Sequence, residues 1–144
     1  MLKAIKIRLY LNQGQTQTIN SLLGSYRFVY NQCLAFKKSK YDDGKQNTSL
    51  SDLGHYFHQD LRNEYDWLQE HNTKVLKQSI INLEQAYKNF FKQHKGFPKF
   101  KSKHDIQSCR FPKEAVSSKT FNEETSRLNL TKTINNLKFK CSDR

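Results

Sequence analysis

The residues of this 144-residue chain that could do chemistry fall into three sets. His55 and His58 stand three apart, a spacing that puts both imidazoles on one helix face, where they could begin a metal site. Such a site needs a third and a fourth ligand. The sequence offers neither a C-x-x-C nor an H-E-x-x-H pattern, and Cys109 stands alone. The second set is acidic: Asp42, Asp43, Asp52, Asp60, Glu64, Asp66 and Glu70. They lie on polar segments, as a solvated or lysine-balancing face does, whereas a two-metal nuclease centre needs carboxylates converging from a rigid scaffold. No phosphate-cradling glycine loop and no nucleophile elbow accompanies them. The expectation is therefore a chain with no catalytic residue, no metal site and no cofactor.

The third set is basic and aromatic. Residues 95–103 read KGFPKFKSK, in which Lys95, Lys99, Lys101 and Lys103 could neutralise phosphates while Phe97 and Phe100 offer faces on which a base could stack. The same stretch also reads as an extended loop whose phenylalanines anchor it to a core and whose lysines are solvated. The segment before it weighs toward binding. At roughly 100° per residue, Lys74, Lys77, Gln85, Lys88, Lys92 and Lys95 fall within an arc of about 80°, opposite an apolar stripe.

The balance of charge agrees with a polyanionic partner. The formal net charge is +12, and the acids are segregated: residues 1–41 carry seven Lys or Arg and no acid, 42–70 two bases and seven acids, and 71–144 sixteen bases and six acids. Two basic blocks flanking an acidic one present basic faces, for which nucleic acid is the commonest partner and a membrane surface the lesser one. The length fits one domain or a domain with an insert. An aromatic share of 12% is too rich for an ordinary disordered chain. Three widely spaced cysteines, Cys33, Cys109 and Cys141, suit a reducing compartment. No apolar run approaches a membrane span and the N-terminus lacks a signal peptide's continuous apolar stretch, so a cytoplasmic location is expected.

The elements that must position these residues follow from periodicity. In MLKAIKIRLYL the odd positions Ile5, Ile7, Leu9 and Leu11 are apolar, which predicts a strand. Asn12 offers a helix N-cap, and Ile19, Leu22, Leu23, Tyr26, Val29, Tyr30 and Cys33 continue at helical spacing to the YDDG at 41–44. Thr48 or Ser49 caps a second helix carrying Leu50, Leu53, Phe57 and Leu61. After a WLQEHN connection, Asn72 or Thr73 caps a third, with Leu76, Ile80, Leu83, Tyr87 and Phe90 on its apolar stripe, ended by Gly96 and Pro98. RLNLTK at 127–132 and NLKFK at 136–140 read as a hairpin or two neighbouring strands. The fold class expected is α+β, a small β structure interrupted by a helical insert.

The runs KAIKIRLYLNQGQTQTINSLLGSYRFVYNQCL, WLQE, QSIINLEQAYKNFFK and GFPKFKSK, in that order, resemble the N-terminal region of the TnpB (OrfB) proteins encoded by bacterial insertion sequences. The resemblance spans about residues 3–140. It implies incomplete strands of a wedge-like β-barrel with an inserted three-helix recognition subdomain: residues 1–11 as the first strand, 12–95 as the helical insert, and 96–144 as a basic re-entry segment with the remaining strands. It further implies a guide RNA and double-stranded DNA beside a target site as partners, with the protein reading a short motif and base pairing reading the rest.

Carried over onto this sequence, the motif-reading positions at the start of the helix after W-L-x-E are Thr73, Lys74 and Lys77. A tyrosine that relatives often carry in the preceding helix is met here by Ser49 or a neighbour. Lys88, Lys92, Lys95, Lys99, Lys101 and Lys103 are the expected backbone contacts. The family's RuvC-like nuclease, with its acidic triad and zinc-binding cysteine pairs, lies downstream of residue 144, so the reading is a truncated transposition protein that binds DNA and RNA and lacks the C-terminal nuclease half. A free-standing DNA-binding regulator using the helix near Thr73, or a decayed fragment without activity, are the alternatives.

Overall fold

The computed structural model describes residues 4–44, 47–116 and 121–141, the last by its backbone. Two compact units divide the chain: Met1–Ser21 with Lys113–Arg144, and Leu22–Pro112.

The first unit holds an antiparallel sheet. β1 (Ile7–Tyr10) keeps the alternation of its sequence, with Ile7 and Leu9 half-buried and Arg8 and Tyr10 exposed. It pairs with β4 (Leu137–Cys141) in the register Ile7↔Cys141, Leu9↔Phe139, and the same alternation buries Leu137 and Phe139 while Lys138 and Lys140 face out. β4 also pairs with β3 (Arg127–Leu128), and β3 with β2 (Phe121–Asn122), giving the order β1-β4-β3-β2. The sequence reading extends β3 to residue 132 and does not foresee β2; Phe121 earns its place by stacking on Phe139 at 4.7 Å. Ser126 and Asn136 take the left-handed conformation (φ 54° and 52°) that reverses the chain before β3 and before β4. Among the described residues the strands form this open sheet, with β1 and β2 at its edges.

A long helix, α1 (Gln13–Gly44), follows β1 and is about 48 Å long at 1.5 Å per residue. Its start is capped reciprocally: Asn12 Oδ1 accepts from the Gln15 amide at 2.8 Å, and Gln15 Oε1 accepts from the Asn12 amide at 3.1 Å. Gln15 also donates to the carbonyls of Asn135 and Asn136, each at 3.1 Å, which ties the helix start to the turn before β4.

The second unit is built on the remainder of α1. α2 (Leu50–His55) opens on a capping box between Ser49 and Asp52. The helix continues through a π-helical turn, Tyr56–Leu61, into α3 (Arg62–Glu64). The wide turn brings Phe57 and Leu61 into the core together, with Leu53 one turn earlier. A 3₁₀ turn, Asp66–Glu70, occupies the expected connection and buries Leu68. α4 (Thr73–Gln93) starts at Asn72, whose side chain accepts from the Lys74 amide at 2.9 Å, and buries Val75, Leu76, Ile80, Leu83 and Tyr87. Its stop corrects the sequence reading: the reversal is made by His94 in the left-handed conformation (φ 53°), two residues before Gly96 and four before Pro98. No helix among the described residues is long and apolar enough to cross a membrane.

Candidate nucleic-acid interface

The expected contact residues lie on α4 and on the stretch after it. Thr73 and Lys74 are the first two residues of the helix. Lys77, one turn on, is half-buried and lines an apolar cleft of about 810 Å3 between α2 and α4, facing His55, His58 and Ile80. Lys88 and Lys92 are exposed farther along. The four lysines of α4 share the face opposite Leu76, Leu83 and Tyr87, and they span about 27 Å from Lys74 to Lys92. Lys95, by contrast, lies beyond the helix end and leaves that line.

Why this face is so basic becomes clear from the one acid of α4. Glu84 turns away to meet Lys37 of α1 at 2.9 Å, with side chains only 20% and 10% exposed. Lys37 also donates to the Thr48 carbonyl and sits 4.7 Å from the Tyr87 ring centroid. The pair neutralises itself inside the unit, so Glu84 does not offset the charge of the lysine stripe.

The stretch 95–103 is held against α1 and α4 at Phe97, Phe100 and Lys101. Phe97 meets Tyr87 and Phe90 edge-on at 5.5 and 5.1 Å, and Pro98 is buried. Lys38 of α1 lays its ammonium 5.1 Å from the Phe97 ring and 4.8 Å from the Phe100 ring. The Asn31 carboxamide takes both backbone groups of Lys101, and the Lys101 ammonium rests 4.6 Å from the Tyr30 ring. Of the two sequence readings of the phenylalanines, anchoring is the role seen for Phe97. Lys99 and Lys103 are exposed; Lys101, though exposed, already has a structural duty.

Sequence reasoning passed over the residues that make this docking: Tyr30, Asn31 and Lys38. The signal available was the RFVYN run. Phe28 packs on Tyr65 and Trp67 at 4.8 and 4.9 Å, Val29 is fully buried, and Tyr30 and Asn31 grip Lys101. Each residue from Phe28 to Asn31 therefore has a contact that explains its type.

Neither described cysteine side chain is a poised nucleophile. Burial pushes the Cys33 thiol up to about 12 and the Cys109 thiol up to about 11. His58 is held below its usual value by burial and then by the neighbouring Lys77 charge. Among the described residues no group of three or more His, Cys, Asp or Glu side chains comes together to hold a metal.

Residues 1–46 match a family described as the helix-turn-helix domain of insertion-sequence OrfB proteins. Among the described residues of that match the chain forms β1 and the unbroken α1, with no turn between two helices. Over 133 residues the chain is 29% identical to InsQ of Escherichia coli (strain K12), whose name describes an RNA-guided DNA endonuclease; the alignment covers 91% of this chain and 32% of InsQ. It thus spans about a third of that relative's length. It is also 34% identical over 114 residues to the virulence protein VsdF of Salmonella dublin, covering 72% of this chain and 96% of VsdF.

Proposed function

Given that the chain belongs to the TnpB (OrfB) family, we propose that it is a nucleic-acid-binding N-terminal portion of an RNA-guided nuclease of that family. Its sheet would contribute to the family's wedge-like barrel and its helices to the recognition subdomain. One observation carries the reading. The lysine face of α4 runs without a carboxylate of its own because Glu84 is withdrawn to Lys37. Such a face meets phosphate backbone by releasing counterions, and the exposed Lys99 and Lys103 are proposed as further phosphate contacts. Thr73, Lys74 and Lys77, at the start of α4, are the residues proposed to approach a short duplex motif, with guide RNA and target heteroduplex as further partners. Binding, not cleavage, is assigned to these residues.

A second reading has support of its own. VsdF aligns with this chain over nearly its whole length, so a relative exists that consists of little more than this region. A free-standing DNA-binding regulator would share that extent. RNA dependence separates the two. We expect the purified chain to bind structured RNA and duplex DNA with affinity that falls steeply between low and high salt; affinity indifferent to salt would sink both readings. A sequence-specific footprint on duplex DNA with no RNA present would favour the regulator.

A further inference from the structure

A pocket of about 590 Å3 opens between the C-terminal ends of α1 and α4, and none of the residues assigned to phosphate binding lines it. Its walls include Tyr41, Tyr87, Phe91 and Phe97, with Lys38 and Asp42 beside them. Two of its aromatics are strongly exposed on separate helices: Tyr41 at 57% and Phe91 at 69%. Phe91 follows Phe90 on the helix and lies nearly parallel to the buried Tyr87, with centroids 6.4 Å apart and planes at 25°. Core packing does not account for a ring left so open, the most exposed apolar side chain of α4 ahead of Ile81 at 43%.

From these walls we infer that the pocket receives one unstacked nucleobase carrying an exocyclic amine, from a single strand. The inference rests on the nucleic-acid reading above and adds a ligand to it. Aromatic faces accept the flat face of a base, which a paired base inside a duplex cannot present. The charges divide the nucleotide between them. Lys37 is engaged by Glu84 and Thr48, whereas Lys38 extends over the rings of Phe97 and Phe100 at the pocket edge, where it can meet the phosphate of the inserted nucleotide. The Asp42 carboxylate on the wall repels a bare phosphate and accepts a hydrogen bond from an amino group such as adenine N6 or cytosine N4. Thymine and uracil, which present a carbonyl at that position, lack the donor.

The test uses the full chain and three single strands of equal length, each with abasic sugars on both sides of a central position holding adenine, thymine or no base. At one salt concentration the adenine strand should bind about tenfold tighter than the fully abasic strand, the scale of one stacked base. Phe91→Ala should erase that difference and leave affinity for an ordinary duplex unchanged. Asp42→Ala, which leaves no acceptor for the amine, should erase the preference of adenine over thymine. Equal binding of the adenine and abasic strands, with duplex binding intact, overturns the pocket and spares the lysine face; loss of all binding, duplex included, overturns both. Equal affinity for adenine and thymine overturns the choice of an amino-bearing base. Phe91-dependent binding to vesicles of anionic lipid, with no base effect, makes the pocket a membrane contact and also overturns the inference.

Discussion

Asn31, in the middle of α1, binds the backbone of Lys101 as a neighbouring strand would: its Oδ1 accepts from the Lys101 amide at 2.8 Å and its Nδ2 donates to the Lys101 carbonyl at 2.9 Å. The two residues are 70 apart in sequence, and the adjacent Tyr30 ring receives the Lys101 ammonium. One carboxamide thus satisfies both polar groups of an extended residue that has no strand partner. The basic stretch is an ordered strap, and its charge is displayed from a fixed backbone.

The strap should loosen when the clamp is removed. Asn31→Leu deletes two hydrogen bonds and is expected to cost about 2 kcal/mol of stability, at roughly 1 kcal/mol for each bond. Trypsin should then cut sooner at Lys99 and Lys101. Lys101→Ala keeps both backbone bonds and loses only the contact with Tyr30, about 0.5–1 kcal/mol at an exposed site. Equal destabilisation by the two variants in urea titrations would contradict the clamp.

Local periodicity made much of this fold legible. The alternation in IKIRLYL marks β1, and the apolar stripes around Val29 and Leu83 mark α1 and α4, because one-sided burial writes its period into the chain. What stayed hidden was pairing at a distance. Nothing about Asn31 announces a partner 70 residues away, and Lys37 looks like any lysine beside Lys38 until Glu84 is seen against it. The stop at His94 was missed because Gly96 and Pro98 are the stronger breakers by composition, yet a left-handed histidine reverses the chain first. The 100° geometry puts Lys74, Lys77, Lys88 and Lys92 on one face of α4, but Lys95, which the same geometry also put there, lies past the helix end. That the one acid of α4 is paired with Lys37 became visible only once Glu84 was placed.

Breaking the buried pair from either side should cost more than replacing it whole. Glu84→Leu strands the Lys37 ammonium in a site where it is 10% exposed, a change expected to destabilise by about 3 kcal/mol. The double variant Lys37→Met with Glu84→Leu substitutes apolar volume for both charges and should recover most of that loss. Thermal unfolding of the two single variants and the double one provides the cycle. A double variant as unstable as the sum of the singles would show that the pair acts independently.

Alkaline pH should destabilise the fold from about pH 9 upward. Burial raises Cys33 from its ordinary 9.0 to about 12 and Tyr87 from 10.0 to about 12. Above pH 9 the unfolded chain releases protons that the folded chain retains, so this share of the stability is intact below pH 9 and is lost progressively as pH climbs toward 12. The urea midpoint should therefore be flat between pH 7.5 and 8.5 and fall beyond, with a shallower onset in Cys33→Ala. In the native chain at pH 8, iodoacetamide should leave Cys33 unmodified.

On the acid side the responsive group is His58. Its pKa is lowered first by burial and then by Lys77, Arg62 and His55, so the neutral imidazole is the form that suits the cleft. The linked stability is present above the ordinary histidine value of 6.5 and is lost as pH falls through the lowered one. Lys77→Met removes one positive neighbour and should move the His58 imidazole titration upward in NMR, without restoring it fully because burial remains. No movement would mean that the ammonium of Lys77 points away from the cleft in solution.

The same lysine separates specific placement from bulk charge in binding. Lys38 and Lys40 lay their ammonium groups near the rings of Phe97, Phe100 and Phe36, while Lys74 and Lys77 open the lysine face of α4. If that face tracks phosphates, Lys74→Ala with Lys77→Ala should weaken duplex binding more than Lys38→Ala with Lys40→Ala, although each pair removes two positive charges. The logarithmic dependence of affinity on salt should flatten by about two units for the α4 pair, close to one per phosphate contact, and by less for the α1 pair. Matched losses and matched slopes in the two double variants would reduce the lysine face to nonspecific charge, since only net charge would then govern the complex.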